Sequence, residues 1–368
     1  MNVPFLDLKS QYEPLADEIQ RRIATVLNNT AYILGEDVSQ FEQDFAAFVE
    51  SQHCVGVASG CDALAWGLRA CGVEPGDEVI TVANTFIATA LAISSVGATI
   101  KLVDCNEDDY LMNIDQLEAA ITDKTKAIIP VHLYGQGVDM TRLLELANKY
   151  NLAVVEDTCQ SHGAKQNGKN LGTFGDVGCF SFYPGKNLGA YGDAGAAVSN
   201  SKEHAGFINF ARNYGQSKKY HHDVLGWNSR MDTVQAAVLN VKLPHLAGWN
   251  EARYQVALKY IEGMKDLPVI MPKINEGNTH VFHLFIARHP ERDQIMEFLG
   301  ERGVSTGLHY PVPIHLQNCY KDTIAYSEGD FPVAEKYAHE IMSLPIFPEM
   351  TDEQVTHVIE SMHAYFKR

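Results

Sequence analysis

Apolar residues recur along this chain with two different periods, and the period changes near residue 53. Before it, Leu15, Ile19, Ile23 and Leu27 fall at helical spacing and predict a helix over 12–27. Phe41, Phe45 and Phe48 mark a second helix over 38–48. From His53 onward, short apolar runs alternate with amphipathic stretches. The runs 53–58, 78–82, 99–103, 127–132 and 153–156 predict strands. The stretches 59–69, 85–95, 114–121 and 140–150 predict helices between them, the first capped by Ser59. Such alternation builds a mostly parallel sheet sandwiched by helices, an α/β fold. The runs 177–183 and 194–199 leave little room for a crossover helix, so this part of the sheet is expected to meander or run antiparallel, making the sheet mixed.

Past residue 231 the pattern becomes helical to about 264, interrupted at Pro244. A strand-like run at 279–287, a helix at 292–302 and a terminal helix at 352–366 follow. The reading is a large α/β domain with an N-terminal arm, residues 1–240, and a small α+β C-terminal domain, residues 241–368. A length of 368 residues suits two lobes. No repeat of fixed period and no low-complexity segment interrupts them.

Composition narrows the function. No apolar run approaches a membrane span, and the first residues lack a basic region followed by an apolar stretch. Seven cysteines, an odd number with no Cys-x-x-Cys pair, argue against a disulfide framework or a structural zinc site. These features predict a cytoplasmic protein without membrane association. The formal net charge of −17 argues against a nucleic-acid partner. One island differs in sign: Lys218 and Lys219, with His221 and His222, flanked by Arg212 and Arg230. It is either a solvated loop or a landing site for a small anion.

Ligands of open α/β sheets bind at the carboxyl ends of the strands. Four groups fall at such ends. Ser59-Gly60-Cys61 opens a helix, where free N–H groups and the helix dipole favour a phosphate. Asp157 ends a buried run, and a carboxylate there needs a partner. Lys186 follows the run 177–183 at once, between two glycine turns. Ser181 shares a strand face with Tyr183. Each has an ordinary explanation as well: a helix cap, an ion pair, a solvated turn. Together they meet the needs of pyridoxal phosphate, which requires a phosphate cup, a carboxylate at the ring nitrogen and a lysine amine. Phe86, just past the run 78–82, could face the ring or fill the core. The sequence has no Gly-x-Gly-x-x-Gly, no phosphate-binding Gly-x-x-x-x-Gly-Lys-[Ser/Thr] and no Gly-x-Ser-x-Gly elbow. His309 and His315 lack an obvious third ligand, so no metal is expected.

The chain resembles the DegT/DnrJ/EryC1/StrS family of pyridoxal-phosphate-dependent sugar aminotransferases over nearly its whole length. The resemblance rests on Ser59-Gly-Cys-Asp-Ala-Leu64, Glu156-Asp-Thr-Cys-Gln-Ser-His-Gly163, Phe180-Ser-Phe-Tyr-Pro-Gly-Lys-Asn-Leu-Gly189, Gly226-Trp-Asn-Ser-Arg-Met-Asp232 and His309-Tyr-Pro-Val-Pro-Ile-His315. It implies the aspartate-aminotransferase-like fold, fold type I, in a homodimer with active sites at the subunit interface. It implies Lys186 as the Schiff-base lysine, Asp157 as the partner of the pyridine nitrogen and Gln160 on the ring's hydroxyl side. Gly60, Cys61 and Ser181 would hold the phosphate, with Asn228 reaching it from the neighbouring subunit. The family often carries Thr where this chain has Cys61, a change that keeps the backbone contact and removes a hydroxyl. Relatives that dehydrate sugars carry His in place of the lysine, so Lys186 favours transamination.

The Tyr183–Gly189 stretch and the His309–Gln317 stretch are most similar to enzymes that aminate C3 of dTDP-linked 3-keto-6-deoxyhexoses. L-Glutamate is the implied donor, and Tyr183, Lys219, Arg230, His309 and Tyr310 are the implied contacts to the nucleotide sugar. The implied setting is deoxyamino-sugar supply for a glycan such as lipopolysaccharide. Amination at C4 of a dTDP- or UDP-linked 4-keto sugar is the alternative. A non-catalytic regulator that binds the cofactor is the alternative of another class.

Overall fold

Seven strands form the central sheet: β1 (His53–Val57), β2 (Glu78–Val82), β3 (Thr99–Val103), β4 (Thr125–Ile128), β5 (Ala153–Asp157), β6 (Val177–Ser181) and β7 (Gly195–Ser199). The computed structural model describes residues 1–368. The strand order is β1-β7-β6-β5-β4-β2-β3. β7 runs antiparallel to both β1 and β6, and the other strands share one direction. The connection from Phe182 to Ala194 therefore turns straight back, with no crossover helix. This is the mixed, mostly parallel sheet that the alternating pattern and the short spacing before 194 predict, and it agrees with the fold type I arrangement that the resemblance implies.

Both faces of the sheet are buried, which explains the near-continuous apolar runs. On β6, Val177 and Cys179 join a core of 51 buried residues that includes the helix Gly60–Ala70. Phe180 points the other way, into a core of 16 buried residues with Phe41 and Phe45 of the helix Glu36–Val49. Phe45 meets Phe180 edge-on at 5.0 Å. The Phe41–Phe45 pattern thus covers this second face, while Ile19 of the preceding helix Ala16–Asn28 packs on Val238 and Val241.

A third core of 18 buried residues lies in the C-terminal region and includes Tyr260, Phe285, Ile295, Leu299 and Val358. Val3 of the N-terminal arm belongs to it. Strands β8 (Phe285–Arg288) and β9 (Ile341–Leu344) pair antiparallel there. Ile314, Phe331 and Tyr337 pack instead into the 51-residue core, so the C-terminal region is stitched to the sheet at two places. Helices Thr233–Lys242 and Leu246–Gly263 bridge the regions, with a 3-10 turn at Leu243–His245 where Pro244 cannot donate.

Three expected boundaries shift by four residues or more. The helix over 12–27 begins at Ala16, after a 3-10 turn that holds Pro14. The strand over 127–132 ends at Ile128, two residues before Pro130. The run 279–287 is strand only from Phe285. Phe282 adopts φ +41°, outside the extended region. The N–H groups of Thr279 and Val281 bond Lys165 and Gly135 across the seam, not a sheet neighbour. No helix is long and apolar enough to cross a membrane.

Candidate active site

A cavity of about 530 Å³ opens at the carboxyl ends of β5 and β6, between the sheet and the C-terminal region. Its lining includes Gly60, Cys61, Phe86, Asp157, Gln160, Ser181, Tyr183, Lys186, His309 and Tyr310. Ten sequence candidates are therefore brought together from segments far apart in the chain.

One wall is an anion cradle. Ser59 caps the helix Gly60–Ala70 by accepting the Asp62 N–H at 3.1 Å. The N–H groups of Gly60 and Cys61 stand in the first turn, where a helix offers them no acceptor. A Cβ at residue 60 would lie 2.7 Å from Ser181 Cβ and 2.9 Å from Cys159 Sγ. A Cβ at residue 195 would lie 2.3 Å from the Ser59 carbonyl carbon. Two glycines thus let three backbone segments close around the helix start. The Cys61 thiol donates to the Ala88 carbonyl at 3.7 Å, and burial raises its pKa to about 11. It stays neutral, so the cradle gains no competing anion from it.

Asp157 ends β5 and is buried. Its Oδ2 accepts the Thr89 hydroxyl at 2.7 Å and its Oδ1 accepts the Cys159 N–H at 3.2 Å. Thr85 in turn donates to Thr89 at 2.9 Å, since Thr89 has spent its own hydrogen. The carboxylate is held by donors yet keeps lone pairs facing the cavity.

Lys186 sits in the turn after β6. Its N–H closes that turn onto the Tyr183 carbonyl at 2.8 Å. Burial pushes its amine pKa down, while Cys159 and Asp157 pull it partly back. An amine below the ordinary lysine range is a better nucleophile and base near neutrality. Behind the turn, the His162 Nε2–H donates to the Ser181 carbonyl at 2.8 Å. Burial, then the Lys186 charge, lowers the His162 pKa to about 3, so this ring is neutral.

The opposite wall carries Gln160, Tyr310 and His309. Gln160 accepts the Tyr134 N–H at 2.8 Å and donates to the Tyr310 hydroxyl at 3.0 Å. The Phe86 and Tyr310 rings lie 5.2 Å apart. His309 bonds Ser343 through Nδ1 at 2.7 Å and stacks on Phe5 at 5.6 Å. Burial lowers its pKa to about 4.

Asn228, Lys219 and Arg230 do not line this chain's cavity. Lys219 lies exposed on the hairpin Gln216–His222, and Asn228 is exposed beyond it. Arg230 donates to Asn213 Oδ1 at 2.8 Å. Arg212 leaves the basic island altogether. It is buried against Glu42 and donates to the Gly56 carbonyl at 2.6 Å. His315 is also withdrawn, bonded to Glu335 at 2.9 Å beneath Phe331.

Several lining residues were not singled out from the sequence: Thr89, Phe5, Leu6, Arg253 and His283. Thr85 and Thr89, four apart at a helix start, are the one readable signal among them. The arm residues reach the cavity only because Val3 pairs with Val304.

A model of the DegT/DnrJ/EryC1/StrS aminotransferase family matches residues 14–363. The chain belongs to this family. It is an aminotransferase, and the family depends on pyridoxal phosphate. The cradle, the buried carboxylate and the depressed lysine fit that cofactor. Relatives are similar end to end. A pleiotropic regulatory protein of Geobacillus stearothermophilus is 47% identical, covering 100% of this chain and 99% of its own. A dTDP-3-amino-3,4,6-trideoxy-alpha-D-glucose transaminase of Streptomyces venezuelae is 45% identical, covering 100% and 97%. The crystal structure of S. venezuelae DesV in complex with a ketimine intermediate superposes with a TM-score of 0.98 at 44% identity, covering 100% and 99%.

Proposed function

We propose that this chain moves an amino group from L-glutamate to C3 of a dTDP-linked 3-keto-6-deoxyhexose. The observation that carries the reading is the convergence of Lys186, Asp157 and the Gly60–Ser181 cradle in one cavity. Similarity to a dTDP-3-amino-sugar transaminase supports the position and the nucleotide. Pyridoxal phosphate, when bound, supplies the electron sink that lets nitrogen leave one carbon for another.

The residues divide the remaining work. The N–H groups of Gly60 and Cys61, with Ser181, would hold the phosphate. Asp157, oriented by Thr89, would keep a proton on the ring nitrogen. Gln160, fixed by Tyr134, would stand beside the ring's hydroxyl, with Phe86 against its face. Lys186 would take the donor's Cα proton and return it as general base and acid. Tyr183, His309 and Tyr310 would contact the sugar.

The assembly we propose is a cytoplasmic homodimer. The segment that carries Lys219 also exposes Tyr214, Tyr220, Leu225 and Trp227. Apolar exposure of that density fits a protein interface. Trp227 packs on Trp66 at 3.7 Å and donates to Asp62, anchoring the segment beside the cradle helix. From there Asn228 would reach a partner's phosphate, and Lys219 and Arg230 a partner's nucleotide. The product would feed deoxyamino-sugar assembly for a surface glycan such as lipopolysaccharide.

The test is incubation of the cofactor-loaded protein with L-glutamate and a panel of dTDP- and UDP-linked 3-keto and 4-keto deoxysugars. Mass and NMR analysis should find the 3-amino dTDP-sugar. A 4-amino product would overturn the C3 assignment, a UDP-sugar preference would overturn the nucleotide, and binding without turnover would favour a regulator.

A further inference from the structure

Tyr134 is buried and does not itself line the cavity. Its backbone stands at φ +61°, ψ −5°, a left-handed conformation that bulky side chains seldom adopt. Such a conformation persists only where the surroundings hold it. Tyr134 is held through all three of its polar groups. Its N–H donates to Gln160 Oε1 at 2.8 Å. Its carbonyl accepts the Leu284 N–H at 3.3 Å. Its hydroxyl donates to the His309 carbonyl. Gln160, Leu284 and His309 come from three separate segments, and all three line the cavity.

These bonds decide the polarity of the next one. A backbone N–H can only donate, so the Gln160 amide presents its oxygen to Tyr134 and its nitrogen to Tyr310. Gln160 Nε2 then donates to the Tyr310 hydroxyl at 3.0 Å. A hydroxyl that accepts still has its own hydrogen, and Tyr310 gives that hydrogen to no group of the chain. Burial holds the Tyr310 pKa above the ordinary tyrosine value, so the hydrogen stays in place. Tyr134 therefore holds Tyr310 at both ends: at the hydroxyl through Gln160, and at the backbone through the carbonyl just before it.

We infer that Tyr134 is a positioning residue that aims the Tyr310 hydroxyl hydrogen at an acceptor oxygen of the sugar. The inference deepens the proposed function and rests on Tyr310 meeting the sugar. A Gln160 amide free to turn over could offer Tyr310 its oxygen, and the hydrogen would be spent there. Fixed by Tyr134, it leaves the wall presenting a donor. A carbonyl, ether or hydroxyl oxygen satisfies that donor, whereas an ammonium, which only donates, does not.

The test is a double-mutant cycle read by calorimetry on the pyridoxal-phosphate-loaded enzyme. The ligand is a dTDP-linked 3-keto-6-deoxyhexose without an amino donor, so binding is measured in the absence of turnover. Tyr310→Phe should weaken sugar binding about tenfold and Tyr134→Phe about fivefold. The double variant should bind no more weakly than Tyr310→Phe alone, because Tyr134 acts through that hydroxyl. dTDP without a sugar should bind the wild type and all three variants alike, a result that general loosening of the fold would not give. Losses that add in the double variant, or an equal loss for dTDP, overturn the inference. Should Tyr134→Phe fail to fold, Gln160→Glu takes its place. A carboxylate can only accept, so it spends the Tyr310 hydrogen and should weaken sugar binding as much as Tyr310→Phe does. Undiminished binding in Gln160→Glu overturns the inference. Unchanged binding in Tyr310→Phe would instead remove the sugar contact on which the inference rests, and the inference with it.

Discussion

Thr89 and Asp157 are 68 residues apart in the chain and joined by a 2.7 Å hydroxyl-to-carboxylate hydrogen bond at the carboxyl edge of the sheet. The bond determines where the carboxylate points. A hydrogen bond to a charged group contributes about 1.5–3 kcal/mol. Thr89→Val keeps the shape and removes the donor. It should lower kcat about tenfold and weaken cofactor affinity, measured by titration of the cofactor-free protein. Asp157→Asn should cost more, since it removes the charge itself. Full activity in either variant would contradict the ring-nitrogen role.

The cradle predicts a steric result. Gly60→Ala places a methyl group 2.7 Å from Ser181 Cβ. Something must shift, and over-packing of this kind costs roughly 1–3 kcal/mol. The expected outcome is a lower melting temperature together with a loss of phosphate-dependent affinity, so that pyridoxal phosphate loses more than pyridoxal does. Equal losses for both would remove the phosphate from this wall.

Lys219 is exposed and unpaired, 5.3 Å over its neighbour Tyr220. Its proposed contact with a partner's nucleotide should appear in KM alone. Lys219→Ala should raise the KM for the nucleotide sugar about three- to tenfold at low salt, with kcat unchanged. The difference should shrink at 1 M salt, where screening acts within roughly 3 Å. An unchanged KM would leave the lysine a solvated loop residue.

Acid should destabilise the chain through its neutral histidines. His162 and His280 are buried, and burial lowers each pKa to about 3. Unfolded, each titrates near 6.5. Between those values the unfolded chain binds protons that the native chain refuses. Stability is fully present above pH 6.5 and falls as pH drops toward 3, by about 1.4 kcal/mol per pH unit for each ring. Denaturant titrations from pH 7 to 4 should show this slope. His162→Gln, which keeps a donor for the Ser181 carbonyl, should flatten it. An identical slope in the variant would assign the loss to other groups.

What was legible in the sequence was whatever depends on local order. Asp157 and Lys186 could be placed because each directly follows an apolar run, and the reversal before β7 could be placed because 184–193 is too short for a crossover. Cys61 and Ser181 followed from the helix start and from strand alternation. What was not legible depends on contacts between distant segments. Phe5 reaches the cavity only because Val3 pairs with Val304, and His283 enters it from a run whose alternation reads as plain strand. Phe282, held at φ +41°, breaks that run for reasons that lie in Gly135 and Lys165. Arg212 misled in the opposite sense: it reads as part of a basic surface and is spent on Glu42 inside the molecule.

The antiparallel direction of β7 has an evolutionary consequence. Because β7 returns beside β6, Lys186 hangs on a tether fastened at both ends to adjacent central strands, between Ser181 and Gly195. Such a tether cannot lengthen or swing without disturbing the sheet. Acceptor preference must diversify elsewhere, in parts hinged only at the rim: the arm around Phe5, the hairpin around Lys219 and the segment around His309. A descendant of this chain that recognises a new sugar should differ there first, while the lysine tether stays as it is.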